Sequence, residues 1–259
     1  MKVLHVWEIG SDACLMAKAQ RELLGWDSHI ITRSPFDKYG HIKYYGEEIR
    51  SMPAFCFKVL CLTKTLGVDV VHVHAWDEVV PLLSAHKPVI MQYHGSDIRG
   101  RWNERKRYWE KAEKIIVSTP DLLDGAPEGT EYLPNPVDTE LFSPRPKLRE
   151  TDSAVHFISV PDDLKLVRKR AEELKLNLLM SRRDLKYHDV PQLLWHFQYL
   201  IDQQLFRALS KLALESLACG LRVVDWNGHI HEGLPKEHRP ENVAIRLKEI
   251  IEGMGVGRR

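Results

Sequence analysis

Through the first half of the chain, short apolar runs alternate with stretches whose apolar residues recur at helical spacing. Residues 3–7 form a buried strand candidate. In the segment that follows, Leu15, Met16, Ala19 and Leu23 fall on one arc of a helix while Lys18 and Arg21 point elsewhere. Gly25 closes that helix. Residues 29–32, 68–74, 89–94 and 114–118 are further strand candidates, separated by segments long enough for helical crossovers. Alternation of this kind implies an α/β fold with a parallel sheet covered on both faces.

A loop-rich stretch interrupts the pattern, with Pro127, Pro134, Pro136, Pro144 and Pro146 close together, as suits a hinge or linker. Beyond it the alternation resumes. Residues 154–160 read as a strand, 162–174 as a helix and 177–180 as a short strand. Leu205, Leu209, Leu212 and Ala213 share one face of a helix predicted over 205–218, closed by Gly220 and followed by a strand at 221–225. The last helix has Pro240 in its first turn and a stripe of Val243, Leu247, Ile250 and Ile251. The expected organisation is a first domain over 1–149 and a smaller second one over 150–259, with the last helix able to cross back to the first.

Composition narrows the function classes. The 37 lysines and arginines against 36 acidic residues leave a net charge of +1, without the broad positive field that sequence-independent nucleic-acid binding needs. Hydrophobic residues at 44% and charged residues at 28% are those of a folded globular protein. Cys14, Cys56, Cys61 and Cys219 show no CxxC pair and no regular spacing, so neither a zinc site nor a disulfide scaffold is suggested, and a reducing cytosol is the simplest home. The N-terminus reads as a strand and not a signal peptide. No apolar run reaches the roughly 18 residues of a membrane span. A cytoplasmic protein is expected. The apolar segment 52–66, flanked by Arg50, Lys58 and Lys64, reads as a core-facing helix, with peripheral attachment at the inner face of a membrane as the alternative.

In an open parallel sheet, ligands bind where loops leave the carboxyl ends of the strands. After the first strand, Gly10 and Ser11 could turn backbone N–H groups at a helix start towards a phosphate, although an ordinary tight turn has the same signature. His72 and His74 lie on one side of a strand, where His72 reads as a packed strand histidine. His94 stands at a strand exit with Gly95, Ser96 and Asp97, and could donate to a sugar hydroxyl or a phosphate. Glu215 interrupts an apolar helix. Composition alone favours an outward-facing side chain there; buried, a carboxylate needs donors such as a ribose diol.

Four blocks carry a resemblance to the retaining glycosyltransferases of two-Rossmann-domain, or GT-B, architecture grouped as glycosyltransferase family 4. They are the opening MKVLHVWEIGSDACLMAKAQRELLGWDSHI, the middle strands DVVHVHAW and KPVIMQYHGSDIR, the interdomain YLPNPVDTELFSP, and ALESLACGLRVVDWNG, which is similar to the family's EAMACGxPVV segment. The resemblance implies two Rossmann-like domains, here with a reduced second one. It also implies transfer of a sugar from a nucleotide-diphosphate sugar to an acceptor hydroxyl with retention of anomeric configuration. It puts Glu215 on the donor ribose, Ser210 and Lys211 at the donor phosphate and sugar, and His94 at the transferred sugar or the leaving group, with Asp97 as a second catalytic candidate. Gly10 and Ser11 close the cleft. No cofactor is implied, and no metal is expected to be needed, because positive side chains and helix N-termini stabilise the leaving diphosphate in that family.

The sequence departs from the family pattern in several places. Arg207 stands where the first of two paired glutamates is usual, whereas Asp202-Gln203 lies thirteen residues before Glu215, the spacing of a subgroup. Arg207 and Ser210 replace glycines of the donor loop. The basic pair for the pyrophosphate has no clean match; Lys165, Arg168, Arg182 and Arg183 are candidates. These departures support an alternative, a catalytically inactive relative that binds a nucleotide, a glycan or a protein.

Overall fold

In the computed structural model, which describes residues 1–158, 162–182 and 184–256, the chain divides into two compact units. The first comprises Met1–Pro136 together with the C-terminal stretch from Pro240, and the second is Val137–Arg239. The division falls inside the proline-rich stretch, thirteen residues ahead of the anticipated position 149, because Val137–Ser143 packs with the second unit. Phe142 is fully buried against Tyr187 (ring centroids 5.5 Å apart), and Trp195 donates its indole N–H to the Ser143 carbonyl at 2.7 Å.

The first unit is built on β1 (Lys2–Val6), β2 (Asp27–Arg33), β3 (Ile49–Arg50), β4 (Val70–His74), β5 (Val89–Tyr93), β6 (Lys114–Val117) and β7 (Glu131–Tyr132). Their order is β3-β2-β1-β4-β5-β6-β7, and every pairing is parallel. The helices α1 (Asp12–Leu24), α2 (His41–Tyr44), α3 (Ala54–Thr65), α4 (Val80–Leu83) and α5 (Lys106–Trp109) lie between strands. One sheet face carries Leu4, Val6, Val71, Val73, Met91 and Tyr93 against Phe57 and Cys61 of α3. Phe57, Cys61 and Thr65 recur every four residues, which is why segment 52–66 buries one stripe, while Phe55, Val59 and Leu66 stay exposed.

The opposite face carries Val3, Val70, Ile90 and Ile116 against Met16 of α1 and against Val243, Leu247, Ile250 and Ile251. Those last four belong to the C-terminal helix (Pro240–Gly253), which crosses back to the first unit. On this same face the register sets His5 of β1 beside His72 of β4, with His74 two residues further along. A polar stripe therefore runs through a sheet whose burial on both sides would ordinarily make it continuously apolar.

The second unit has β8 (Ser153–Ile158), β9 (Asn177–Arg182), β10 (Tyr199–Ile201), β11 (Arg222–Val224) and β12 (Ile230–Glu232), in the order β12-β11-β10-β8-β9. All pairings are parallel except β11 with β12. Its helices are α6 (Leu164–Glu173), α7 (Val190–Leu194) and α8 (Lys211–Ala218), and the crossing-back helix of the first unit is α9. The strand anticipated over 154–160 runs Ser153–Ile158, and residues 159–160 lie outside the described ones. The helix anticipated over 205–218 begins only at Lys211. Gln203 explains the shortfall: its Oε1 accepts the N–H of Leu205 (2.9 Å) and Phe206 (2.7 Å), and its Nε2 donates to the Phe206 and Ala208 carbonyls, so the side chain supplies bonds that a helix would otherwise make. Among the described residues, no helix is long and apolar enough to cross a membrane.

Candidate functional site

The strand order of the first unit reverses between β1 and β4, the position at which such sheets open a crevice at their carboxyl ends. Both strands leave the sheet through a non-glycine residue with positive φ, Trp7 (79°) and Ala75 (57°), a conformation that costs about 1–3 kcal/mol. After β1 the chain turns through Gly10 (φ 58°) and Ser11 (φ 71°) into α1. The helix start is already served: Glu8, 5% exposed, accepts the Cys14 N–H at 2.9 Å, and the Asp12 N–H donates to the Ile9 carbonyl at 3.0 Å. A carboxylate thus occupies the place expected to favour a phosphate, and the Ser11 hydroxyl donates to the Gly10 carbonyl. Gly10 and Ser11 form a tight turn in this arrangement.

His94 follows β5, at the same end of the sheet. Asp97 takes the His94 N–H (2.9 Å) and the Gly95 N–H (2.7 Å), so its carboxylate shapes the loop and carries the His94 backbone. Asp97, expected as a second catalytic candidate, holds the His94 backbone in place in this arrangement. The His94 side chain is 6% exposed. Its Nδ1 lies 3.1 Å from Asp12 Oδ2 and 3.0 Å from Ser118 Oγ, and its Nε2 lies 3.2 Å from His74 Nδ1. Gln92 donates to Ser118 Oγ at 2.8 Å. Both ring nitrogens thus have protein partners, and direct contact with a sugar requires a ligand to displace Asp12 or Ser118. Asp12, Ser118, His5, Gln20 and Gln92 were not singled out from the sequence as site residues. For His5, Gln92 and Ser118 the signal is polar residues at alternate positions of strand candidates that ought to be apolar; Asp12 and Gln20 lie on α1 and carry no such signal.

In the second unit the strand order reverses between β8 and β10. A small pocket there is lined by His156, Phe157, Leu200, Ile201, Asp202, Gln203 and Leu212. His156 joins the Ile201 carbonyl (Nδ1, 2.8 Å) to the Asp162 carboxylate (Nε2, 2.8 Å). Asp202, 4% exposed, accepts the Ser210 N–H at 2.8 Å and the Ser210 hydroxyl at 2.6 Å, and Ser210 Oγ in turn accepts the Ala213 N–H at 3.1 Å. Ser210 is the N-cap of α8, which was not part of its anticipated role at the donor.

Lys211 is the first residue of α8 and half-buried, and Glu215 lies one turn on, 6% exposed. The outward-facing alternative for Glu215 is thereby excluded. Arg207 is exposed, as are Lys165, Arg168 and Arg182; Arg183 lies outside the described residues. Further along the same sheet, Asp225 accepts from His231 Nε2 (2.8 Å) and from the N–H groups of Asn227 and His229. Burial pushes the Asp225 carboxyl up, but these donors outweigh it and hold the group below its ordinary value. The anticipated site residues therefore form two groups, Gly10, Ser11, His94 and Asp97 in the first unit, and Ser210, Lys211 and Glu215 in the second.

No protein-family profile matches the chain, and no curated protein matches it in sequence. The likeness is to solved structures. The Anabaena protein HepE in complex with UDP-glucose is 13% identical, with 98% of this chain and 91% of that one covered and a TM-score of 0.60. Sucrose-phosphate synthase from Thermosynechococcus elongatus is 14% identical, with 98% and 91% covered and a TM-score of 0.56. UDP-GlcNAc 2-epimerase from Neisseria meningitidis, bound to UDP-GlcNAc, is 12% identical, with 97% and 92% covered and a TM-score of 0.54. What is shared at such identities is the fold: two Rossmann-like units of GT-B type, the second of them reduced.

Proposed function

We propose that this chain is a glycosyltransferase that moves a sugar from a nucleotide-diphosphate sugar to an acceptor hydroxyl, retaining the anomeric configuration, as family 4 enzymes do. The observation that carries the reading is Glu215, a carboxylate 6% exposed on α8, inside the block most similar to that family's donor-binding segment. A ribose presents two hydroxyls that can donate to such a carboxylate. HepE bound to UDP-glucose and the epimerase bound to UDP-GlcNAc favour a uridine diphosphate sugar as donor.

In this reading Glu215 holds the ribose, and Lys211 brings a cation to the diphosphate at the start of α8. Asp202, by fixing Ser210, holds that helix start in place. His94 reaches the transferred sugar once the ligand displaces Ser118 or Asp12 from its Nδ1. Incubation with a panel of UDP-sugars and candidate acceptors, read by mass spectrometry, should yield a product heavier by one sugar, and proton NMR of that product should show the donor's anomeric configuration. Inversion would remove the retaining assignment.

A second reading, a non-catalytic nucleotide-sugar binder, is favoured by Arg207 and Ser210 in the donor loop and by the full engagement of His94 with protein partners. It predicts nucleotide binding with neither transfer nor donor hydrolysis.

A further inference from the structure

Among the described residues, three metal-ligating side chains converge at one place. His5, His72 and His74 each offer a ring nitrogen within 4.8 Å of the other two, and all three side chains are fully buried. With the Gln20 amide in its present orientation, which leaves its own Nε2 unpartnered, the hydrogen bonds leave this cluster one cation short. Gln20 Oε1 already accepts the Ser28 hydroxyl at 2.6 Å and takes His5 Nε2–H at 3.0 Å, which leaves the lone pair of His5 on Nδ1. At the other end, the Asp12 carboxylate can only accept, so the proton of His94 sits on Nδ1 and its Nε2 accepts from His74 Nδ1–H. The lone pair of His74 is then on Nε2. Two lone pairs, His5 Nδ1 and His74 Nε2, face each other across 3.1 Å.

A proton or a metal ion could fill that gap, and His72 separates the two. Its ring lies 4.2 Å from that of His74 and 5.0 Å from that of His5, centroid to centroid, and neither of its nitrogens makes a hydrogen bond. A shared proton would join His5 to His74 and leave His72 as it is, whereas a metal takes one nitrogen from each ring. We propose that His5, His72 and His74 are the imidazole ligands of a buried divalent metal ion of the zinc class. Zinc–nitrogen bonds of about 2.1 Å require the three rings to draw together. The Asp12–His94–His74 relay is the outer shell that fixes the His74 tautomer, raises its basicity and sets a negative charge against the ion. Burial keeps all three imidazoles in the neutral, ligating form, pushing His5 down to about 4 and His72 and His74 well below their ordinary value.

With no exposed ligand, the ion is structural and enters during folding. It is a different matter from the metal judged unnecessary for diphosphate departure, and it rests on nothing in the glycosyltransferase reading. The test is to unfold the chain in chelator, refold it with Co²⁺ or Zn²⁺, and desalt it. One equivalent of metal should remain, with visible d–d absorption of nitrogen-coordinated Co²⁺ and a melting temperature above that of protein refolded in chelator. His72→Asn removes a ligand without removing a hydrogen bond and should lower metal retention at least tenfold; if this variant does not fold, the wild-type spectrum decides alone. Wild-type protein that refolds metal-free with an unchanged melting temperature would overturn the proposal in favour of a shared proton, and so would full retention in His72→Asn.

Discussion

Asp202 grips Ser210 twice, through its backbone N–H at 2.8 Å and through its hydroxyl at 2.6 Å. Since Ser210 caps α8, this contact sets where the helix carrying Lys211 and Glu215 begins. Asp202→Ala should cost about 2–4 kcal/mol, combining hydrogen bonds to a charged group with a weakened cap. Urea unfolding reads this as a lower midpoint at an unchanged slope. A midpoint equal to that of the wild type would mean that α8 starts where it does for other reasons.

The histidine stripe makes stability depend on pH. Burial is the main cause that lowers His5 from 6.5 to about 4. Between those values the unfolded chain binds more protons than the folded one, so the contribution is whole above pH 6.5 and is lost as pH falls towards 4. His72 and His74 shift the same way, first through burial and then through the neighbouring histidines. In chelator-treated protein, unfolding free energy should fall between pH 6.5 and 5 by up to about 1.4 kcal/mol per pH unit for each histidine involved. Replacing His72 with Leu should flatten the profile. A wild-type profile flat over that interval would contradict the burial described.

The C-terminal helix closes the core of the first unit with a side chain that comes from the far end of the chain. Leu247 is fully buried with Val3, Val70, Ile90 and Ile116. Leu247→Ala should destabilise that unit by about 2–5 kcal/mol. Hydrogen exchange followed by mass spectrometry should locate the added exchange in β1, β4 and β5 and leave β8 and β10 protected. Equal loss of protection in both units would show that they unfold as one.

Eight of the strands and the buried stripe of α9 were legible because both rest on local apolar periodicity, since Val243, Leu247, Ile250 and Ile251 mark a buried stripe whatever they pack against. The short β3, β7, β10 and β12 were not anticipated, and the return of α9 to the first unit depends on contacts distant in sequence. The histidine cluster was only half legible. His72 and His74 share a strand face by alternation, but their meeting with His5 depends on the β1–β4 register, which joins residues 67 positions apart. The helix expected over 205–218 failed at its start because Gln203 and Asp202 bond to the backbone of 205–210, a competition that apolar spacing does not record. Glu215 was found through the resemblance of its block, and its burial could not be read from composition.

The most direct test of the nucleotide-sugar reading is calorimetric titration of UDP into the wild type and into Glu215→Ala. The account predicts saturable binding to the wild type and a loss of roughly 1.5–3 kcal/mol in the variant, the range for hydrogen bonds to a charged group, about one to two orders of magnitude in affinity. Equal affinity in the two proteins, or no binding to a wild type shown to be folded, would contradict it.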